Sequence, residues 1–228
     1  MFKLKEAVIG KSLGAGSHRH KMTTALFENN TIIEGRSGSG KTMTALTIAE
    51  MFLSAGSYVG VMGDAVDEYA TLKKRDDYTS RLVIGKPIGS FLPRNPLAVK
   101  ERIDEVFYHV KNTSNHSGLL IIDEAQVLLS CSVFCDELAR LINQQQDKLQ
   151  VVLLMQSTRD LLASDYASDL PALFQNVVTL LPANTGAISH DNPPKMVVSL
   201  AGPVRNRQKS LSIQGLSEKA FIEWAPLV

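Results

Sequence analysis

The sequence predicts an α/β fold in which helices flank a central, mostly parallel β-sheet, followed by a C-terminal β-hairpin. Two observations lead to this prediction. From residue 30 onward, short runs rich in β-branched residues alternate with helical stretches, which is typical of a parallel sheet covered by helices. Several of these short runs are apolar nearly throughout, as expected for strands that are buried on both faces.

The predicted elements follow one another along the chain. Strands are predicted at residues 31–34, 58–62, 81–84, 119–122, 151–155 and 176–180. Helices are predicted at residues 41–55, 97–111 and 134–148. Gly56 is expected to close the first helix, because glycine readily adopts the left-handed backbone conformation that ends many helices.

The chain has 228 residues, which suits a single domain, since most domains contain about 50–250 residues. Within 1–228 we predict a β-rich flap at 1–29, the core of the fold at 30–181, and a C-terminal part at 182–228. The C-terminal part should hold a hairpin, with strands at 196–200 and 210–213 around the turn Gly202-Pro203, and a short helix.

Composition restricts the possible partners. The net charge is +1, so the protein has no global basic field, and any contact with nucleic acid must come from local clusters. Cys131 and Cys135 lack the further ligands of a metal site, which favours buried thiols and a reducing compartment. Because no stretch approaches the roughly 18 apolar residues of a membrane span, we expect a soluble protein without direct membrane insertion.

One glycine-rich run between a predicted strand and a predicted helix fits the pattern G-x-x-x-x-G-K-[ST] of a phosphate-binding P-loop. Its residues are Gly35, Arg36, Ser37, Gly38, Ser39, Gly40, Lys41 and Thr42. The glycines let backbone N–H groups turn inward around phosphates, and the following helix adds its positive N-terminal end. Lys41 should reach the β- and γ-phosphates of ATP, and Thr42 should bind Mg²⁺. The alternative, an ordinary Gly/Ser-rich turn, is disfavoured by the flanking strand and helix.

Asp123 and Glu124 follow the apolar strand predicted at 119–122. An acid in this position holds Mg²⁺ through water, and the adjacent acid orients the water that attacks the γ-phosphate. A solvated turn is the alternative, but the pair lies downstream of a P-loop with another βα unit between them. Glu124 favours hydrolysis over transfer to a small molecule, because a kinase must keep water away from the γ-phosphate.

Gln156 follows the apolar strand predicted at 151–155. It would lie at the carboxyl end of that strand, where open α/β sheets place groups that contact ligands. We predict that Gln156 senses the γ-phosphate; a Gln bonded to a loop backbone is the alternative. Together the motifs predict an ASCE-type, RecA-like P-loop NTPase.

These residues resemble the FtsK/HerA superfamily of DNA-pumping ATPases. The resemblance covers residues 31–181 and is carried by the P-loop, residues 60–69, Asn95-Pro96-Leu97, Asp123-Glu124, and Gln156 with Arg159-Asp160. Within the superfamily the chain is most similar to the genome-packaging ATPases of tailless, membrane-containing double-jelly-roll viruses. We expect it, unlike FtsK, to have neither a membrane anchor nor a winged-helix DNA reader, and to lack a full HerA-type barrel at its N-terminal end, which favours the packaging branch.

The resemblance implies a homo-oligomeric ring, usually a hexamer, with ATP at the subunit interfaces and an arginine supplied in trans to the γ-phosphate. Arg159, Arg205 and Arg207 are the candidates for this arginine, and each could equally be a surface charge. Loops that face the pore would grip double-stranded DNA through its phosphates, and Lys73-Lys74-Arg75 is the densest basic cluster. A solvated helix end is the alternative interpretation of that cluster.

The sequence therefore predicts an ATPase that uses ATP and Mg²⁺ to translocate double-stranded DNA, in viral genome packaging. A capsid vertex or a membrane-associated portal protein would be its further partner, and the host cytoplasm or the packaging vertex of the virion its location. One alternative is a plasmid or conjugation DNA pump. Another is a nucleotide-dependent assembly switch that does not move DNA.

Overall fold

The computed structural model describes residues 29–89, 95–111, 118–145 and 148–181, together with the backbone of residues 11–12, 195–200 and 220–223. The described strands form one nine-stranded sheet in the order β1-β9-β8-β7-β2-β6-β5-β3-β4. Their bounds are β1 Lys11–Ser12, β2 Thr31–Glu34, β3 Tyr58–Gly63, β4 Leu82–Ile84, β5 Gly118–Asp123, β6 Leu149–Met155, β7 Asn176–Leu181, β8 Lys195–Leu200 and β9 Ala220–Glu223.

Helices connect the strands and cover the two faces of the sheet. The α-helices are α1 Lys41–Ser54, α2 Asp76–Thr79, α3 Pro96–Lys111, α4 Ser132–Gln144 and α5 Thr158–Ala163. Three 3₁₀ segments, Val66–Lys74, Ala125–Ser130 and Leu170–Leu173, complete the connections in the described part of the chain. No helix in that part combines the length and the apolar composition needed to cross a membrane.

The six strands β7, β2, β6, β5, β3 and β4 pair in parallel, as predicted. Their apolar runs are explained by two cores, one on each face of the sheet. In β5, Leu120 and Ile122 pack with α3 and α4, whereas Leu119 and Ile121 pack with α1 on the opposite face. Since successive residues of a strand point to opposite faces, both sets must be apolar.

The predicted helix at 134–148 is wrong in its bounds, because α4 begins at Ser132 and ends at Gln144. Ile142 is the last apolar residue before Leu149, so another helical turn would have no side chain to bury. The backbone N–H groups of Lys148 and Leu149 donate instead to the Gln145 carbonyl oxygen, both at 2.9 Å. These bonds form a turn that leads into β6, which begins at Leu149.

Only the first strand of the predicted C-terminal hairpin lies among the described residues. Strand β8 is present, but residues 210–213 and the turn Gly202-Pro203 lie outside the described residues. β8 pairs antiparallel with β7 and with β9, and the described residues of 182–228 include no helix. Of the predicted N-terminal flap, β1 and Asn29 are described, and β1 pairs antiparallel with β9. Three antiparallel strands thus extend the parallel sheet beyond β7.

Candidate functional site

The loop between β2 and α1 lies at the carboxyl end of the parallel strands. Gly38 has φ 74° and Gly40 has φ 91°, which are left-handed conformations that favour glycine. The N–H of Gly35 donates to the Met155 carbonyl oxygen at 3.2 Å, which fixes the start of the loop to the end of β6. Gly40 is the N-terminal cap of α1, so the loop runs directly into the helix. Its backbone N–H groups and helix N-terminus are suited to an anion.

Lys41 is buried at the first residue of α1, with 6% of its surface exposed. Its Nζ donates to the carbonyl oxygens of Gly35 at 2.9 Å and Arg36 at 3.3 Å. No carboxylate among the described residues forms an ion pair with it. The buried hydroxyl of Ser39 has no hydrogen-bond partner within the described residues. A buried ammonium without a carboxylate partner, in the same loop as an unpaired hydroxyl, fits the phosphate groups of ATP.

Asp123 ends β5 and lies against the loop, with 1% of its surface exposed. Its Oδ2 accepts hydrogen bonds from Thr42 Oγ1 at 3.2 Å and from Tyr69 OH at 3.1 Å. Its Oδ1 accepts one from the Glu124 N–H at 2.9 Å. The structure therefore brings together the carboxylate and the hydroxyl that the sequence assigned to Mg²⁺. These oxygen ligands fit the ion, which typically binds one or two carboxylates along with substrate phosphates.

Burial raises the pKa of Asp123, although the hydrogen bonds from Tyr69, Thr42 and the Glu124 N–H act to lower it. A carboxylate whose pKa is raised on folding binds more protons in the native state than in the unfolded state. Stability therefore falls as pH rises through the raised pKa. The charged form of Asp123 reduces the stability of the nucleotide-free protein at neutral pH.

We expect Asp123→Asn to raise the melting temperature of the nucleotide-free protein at pH 7–8, because it removes this buried charge. The difference should shrink as pH falls, since wild-type Asp123 becomes protonated. The same variant should lose Mg²⁺-dependent turnover. Thermal unfolding between pH 5 and 8 without nucleotide provides the measurement. A difference in melting temperature that does not vary with pH would contradict a raised pKa of Asp123.

Glu124 adopts a left-handed conformation, with φ 52° and ψ 45°, and is the sole non-glycine residue with positive φ among those described. Its carboxylate accepts a hydrogen bond from Gln126 Nε2. The other amide atom of Gln126, Oε1, is buried without a partner within the described residues. Unusual backbone conformations often occur at functional sites. Gln126 could not be predicted from the sequence, because a glutamine two residues after an acid forms no recognised pattern.

Gln156 lies beyond the end of β6, with its side chain exposed. Nearby, Glu34 joins three parts of the structure at the start of the loop. Its Oε2 accepts from the Thr158 N–H at 2.7 Å, and its Oε1 accepts from Thr179 Oγ1 at 2.8 Å. Glu34 lies in a predicted strand, and no sequence pattern indicated this role. Glu34 connects the segment that carries Gln156 and Arg159 to the first residue of the loop.

The basic candidates differ in their surroundings. Arg159 is exposed and forms no ion pair within the described part of the chain. Arg205 and Arg207 lie outside the described residues. Arg75 is paired with Glu50 at 3.4 Å and stacks on the Tyr78 ring, 4.4 Å from its centroid. Lys73 and Lys74 are exposed at the end of the 3₁₀ segment, without an ion pair to any described residue.

Gly63 allows the end of β3 to approach the end of β5. It has φ 134°, and a Cβ at this position would lie 2.0 Å from the Asp123 carbonyl oxygen. We expect Gly63→Ala to destabilise the protein by about 1–3 kcal/mol and to lower turnover, because the clash displaces Asp123. Urea unfolding and steady-state kinetics test this expectation. Gly89→Ala is the matched control, since its Cβ would meet nothing within 4 Å; equal effects of the two changes would refute the explanation.

Residues 28–162 match the family described as AAA domain. This match spans more than half of the chain and includes the loop, Asp123, Glu124 and Gln156. The chain belongs to the AAA domain family. It is a P-loop ATPase, and membership in the family implies that it binds ATP. No curated protein matches the chain.

Several solved structures have a fold similar to that of this AAA-domain chain. The cytoplasmic domain of the type VII secretion ATPase EccC from Thermomonospora curvata is similar, with a TM-score of 0.60 and 10% identity over 96% of this chain. The cytoplasmic domain of EssC has a TM-score of 0.55 and 12% identity over 96% of this chain. ATPases 2 and 3 of EssC from Geobacillus thermodenitrificans have a TM-score of 0.53 and 12% identity over 98%.

This chain spans 26% of the EccC chain, 43% of the EssC cytoplasmic domain, and 42% of the Geobacillus EssC chain. At these identities the similarity concerns the fold. It agrees with the predicted α/β architecture of this AAA-domain ATPase, with its parallel sheet and flanking helices.

Proposed function

We propose that this AAA-domain ATPase hydrolyses ATP with Mg²⁺ to translocate double-stranded DNA, as a genome-packaging ATPase of the FtsK/HerA superfamily. The observation that carries the chemical part of the proposal is the 3.2 Å contact between Thr42 Oγ1 and Asp123 Oδ2. It joins the P-loop to the acidic end of β5, where Glu124 follows immediately. DNA translocation, and the location in the host cytoplasm at the packaging vertex of the virion, rest on the sequence resemblance.

Each residue has a distinct role in the proposed mechanism. Lys41 neutralises charge on the β- and γ-phosphates, and Thr42 with Asp123 would hold Mg²⁺. When bound, Mg²⁺ neutralises charge that develops on the phosphate oxygens. Glu124 orients the attacking water and accepts its proton, while Gln156 contacts the γ-phosphate. Gln126 holds the Glu124 carboxylate through their hydrogen bond.

Contact with DNA is assigned to Lys73 and Lys74. Both side chains are exposed and unpaired within the described residues, whereas Arg75 is engaged by Glu50 and Tyr78. Lysine ammonium groups bind DNA phosphates without reading sequence. In the ring that we propose, copies of this segment would face the central pore, and a capsid vertex or portal protein would hold the ring.

A test of this proposal compares ATPase rates with and without double-stranded DNA of several sequences. We expect stimulation with little sequence preference and a steep decrease with salt, since phosphates provide the contacts. A plasmid or conjugation pump would respond in the same way. Unchanged rates with DNA would instead favour an assembly switch.

A secretion ATPase is a further candidate, favoured by the fold shared with EccC and EssC, and a polypeptide rather than DNA would stimulate it.

The ring predicts that specific activity depends on protein concentration. If Arg159 completes the site of the neighbouring subunit, isolated subunits should be poor ATPases, and activity per subunit should rise as subunits associate. Mixing Arg159→Ala with Lys41→Ala should restore part of the activity, because a mixed interface can pair an intact P-loop with an intact arginine. The same test applies to Arg205→Ala and Arg207→Ala. Concentration-independent activity of a monomer, unaffected by DNA, would refute the translocase.

A further inference from the structure

Tyr69 connects the surface segment to the nucleotide site through one buried hydroxyl. It lies in the middle of the 3₁₀ segment Val66–Lys74 and is 0% exposed. Its OH donates to Asp123 Oδ2 at 3.1 Å, the same oxygen that accepts the Thr42 hydroxyl at 3.2 Å. A single carboxylate oxygen therefore joins the P-loop helix, the end of β5 and the 3₁₀ segment.

The segment packs against the core through Val66, Tyr69 and the partly buried Leu72. Val66 and Tyr69 are its buried residues, while Lys73 and Lys74 are exposed at its end. Beyond them, Arg75 pairs with Glu50 of α1, and Tyr78 OH lies 2.6 Å from Ser54 Oγ of the same helix. An anion that binds the two lysines thus acts on a segment whose buried Tyr69 hydroxyl contacts Asp123.

We propose that Tyr69 is a positioning residue that holds Asp123 beside Thr42 and couples DNA binding at Lys73 and Lys74 to the Mg²⁺-nucleotide site. The coupling rests on the proposed function, whereas the positioning of Asp123 does not. The hydroxyl restrains the carboxylate, because its donated proton fixes where Oδ2 lies. Displacement of the segment would weaken that restraint, and by linkage Mg²⁺-nucleotide binding would alter DNA affinity by the same factor.

Tyr69→Phe tests the positioning, because it keeps the buried ring and removes the hydroxyl. Tyr78→Phe is the matched control: Tyr78 is also 0% exposed, and its hydroxyl contacts Ser54 rather than Asp123. The measurement is the affinity for a fluorescent ATP analogue at equilibrium, with Mg²⁺ and with EDTA. For Tyr69→Phe we expect the gain in affinity due to Mg²⁺ to fall about tenfold. A change of this size corresponds to the loss of one hydrogen bond to a charged group.

The control should retain the wild-type gain, and affinity in EDTA should be unchanged in both variants. If Tyr69→Phe kept the full gain, or if the two variants lost it equally, Tyr69 would be a packing residue and the positioning would be refuted. Thermal unfolding without nucleotide checks that both proteins fold.

The coupling is tested in a Glu124→Gln background, so that ATP is not consumed. DNA affinity is measured with and without Mg²⁺-ATP, and the ratio of the two values gives the coupling factor. We expect Tyr69→Phe to bring this factor close to one and to leave DNA affinity without nucleotide unchanged. Lys73→Gln combined with Lys74→Gln should weaken DNA binding itself.

An unchanged coupling factor in Tyr69→Phe would refute the proposal that Tyr69 couples DNA binding to the Mg²⁺-nucleotide site. Absence of DNA binding in the reference protein would refute both the proposed function and the coupling. In that case the Mg²⁺ measurement would still decide whether Tyr69 positions Asp123.

Discussion

Replacing Glu124 with glutamine is expected to lower ATP turnover about 10²–10⁴-fold, the usual contribution of a general base, while ATP still binds. The amide preserves the shape of the side chain but cannot accept the proton of the attacking water. Glu124 follows Asp123 at the carboxyl end of β5, and its side chain bonds to Gln126 rather than to a cation. Removing its charge should therefore leave the described ion pairs intact.

Single-turnover kinetics and equilibrium binding separate the two effects of this change. ATP with Mg²⁺ should raise the melting temperature of Glu124→Gln, since the ligand binds the native state. Glu101→Gln, which changes an exposed acid on α3, should behave like wild type. Near-normal turnover in Glu124→Gln would place the base elsewhere and leave Glu124 as a surface acid.

Lys41→Ala is expected to lower turnover by about 10²–10³-fold or more and to weaken ATP binding. The ammonium is the buried cation of the loop, and the loss of one group that stabilises transition-state charge has effects of this size. The change also leaves the Gly35 and Arg36 carbonyl oxygens without the Lys41 donor. Lys41→Ala should therefore also lower the free energy of unfolding, although its effect on turnover should be the larger one.

Steady-state kinetics with titrated ATP and Mg²⁺ measure both effects. Lys86→Ala is a suitable control, because this lysine is exposed and lies outside the loop. If Lys41→Ala retained near-normal turnover, the assignment of the loop to ATP would be wrong.

Local sequence patterns predicted most of the parallel sheet. The runs around Ile33, Val61 and Ile121 are apolar because each strand contributes to the cores on both faces, and this composition is visible without a structure. The glycine-rich loop was equally visible, since the left-handed conformations at Gly38 and Gly40 favour glycine. The end of α4 was misplaced because polar helix formers such as Gln146 do not show where a helix stops burying surface.

Contacts between distant parts of the chain could not be predicted in this way. Asp123 meets Tyr69, 54 residues earlier, and Glu34 meets Thr179, 145 residues later. Strand β9 pairs with both β8 and β1, so strands separated by more than 200 residues meet at one edge of the sheet.

The sequence by itself determined the type of fold, the phosphate-binding loop, and the pair of acids after β5. Those features depend on residue spacing within single elements, which periodicity and glycine placement reveal directly. Only the tertiary structure decided that Tyr69 and Thr42 share one oxygen of Asp123, and that Arg75 forms an ion pair while Lys73 and Lys74 form none with the described residues. The physical reason is that periodicity identifies which face of an element is buried, whereas the order of strands in the sheet determines which side chains meet there.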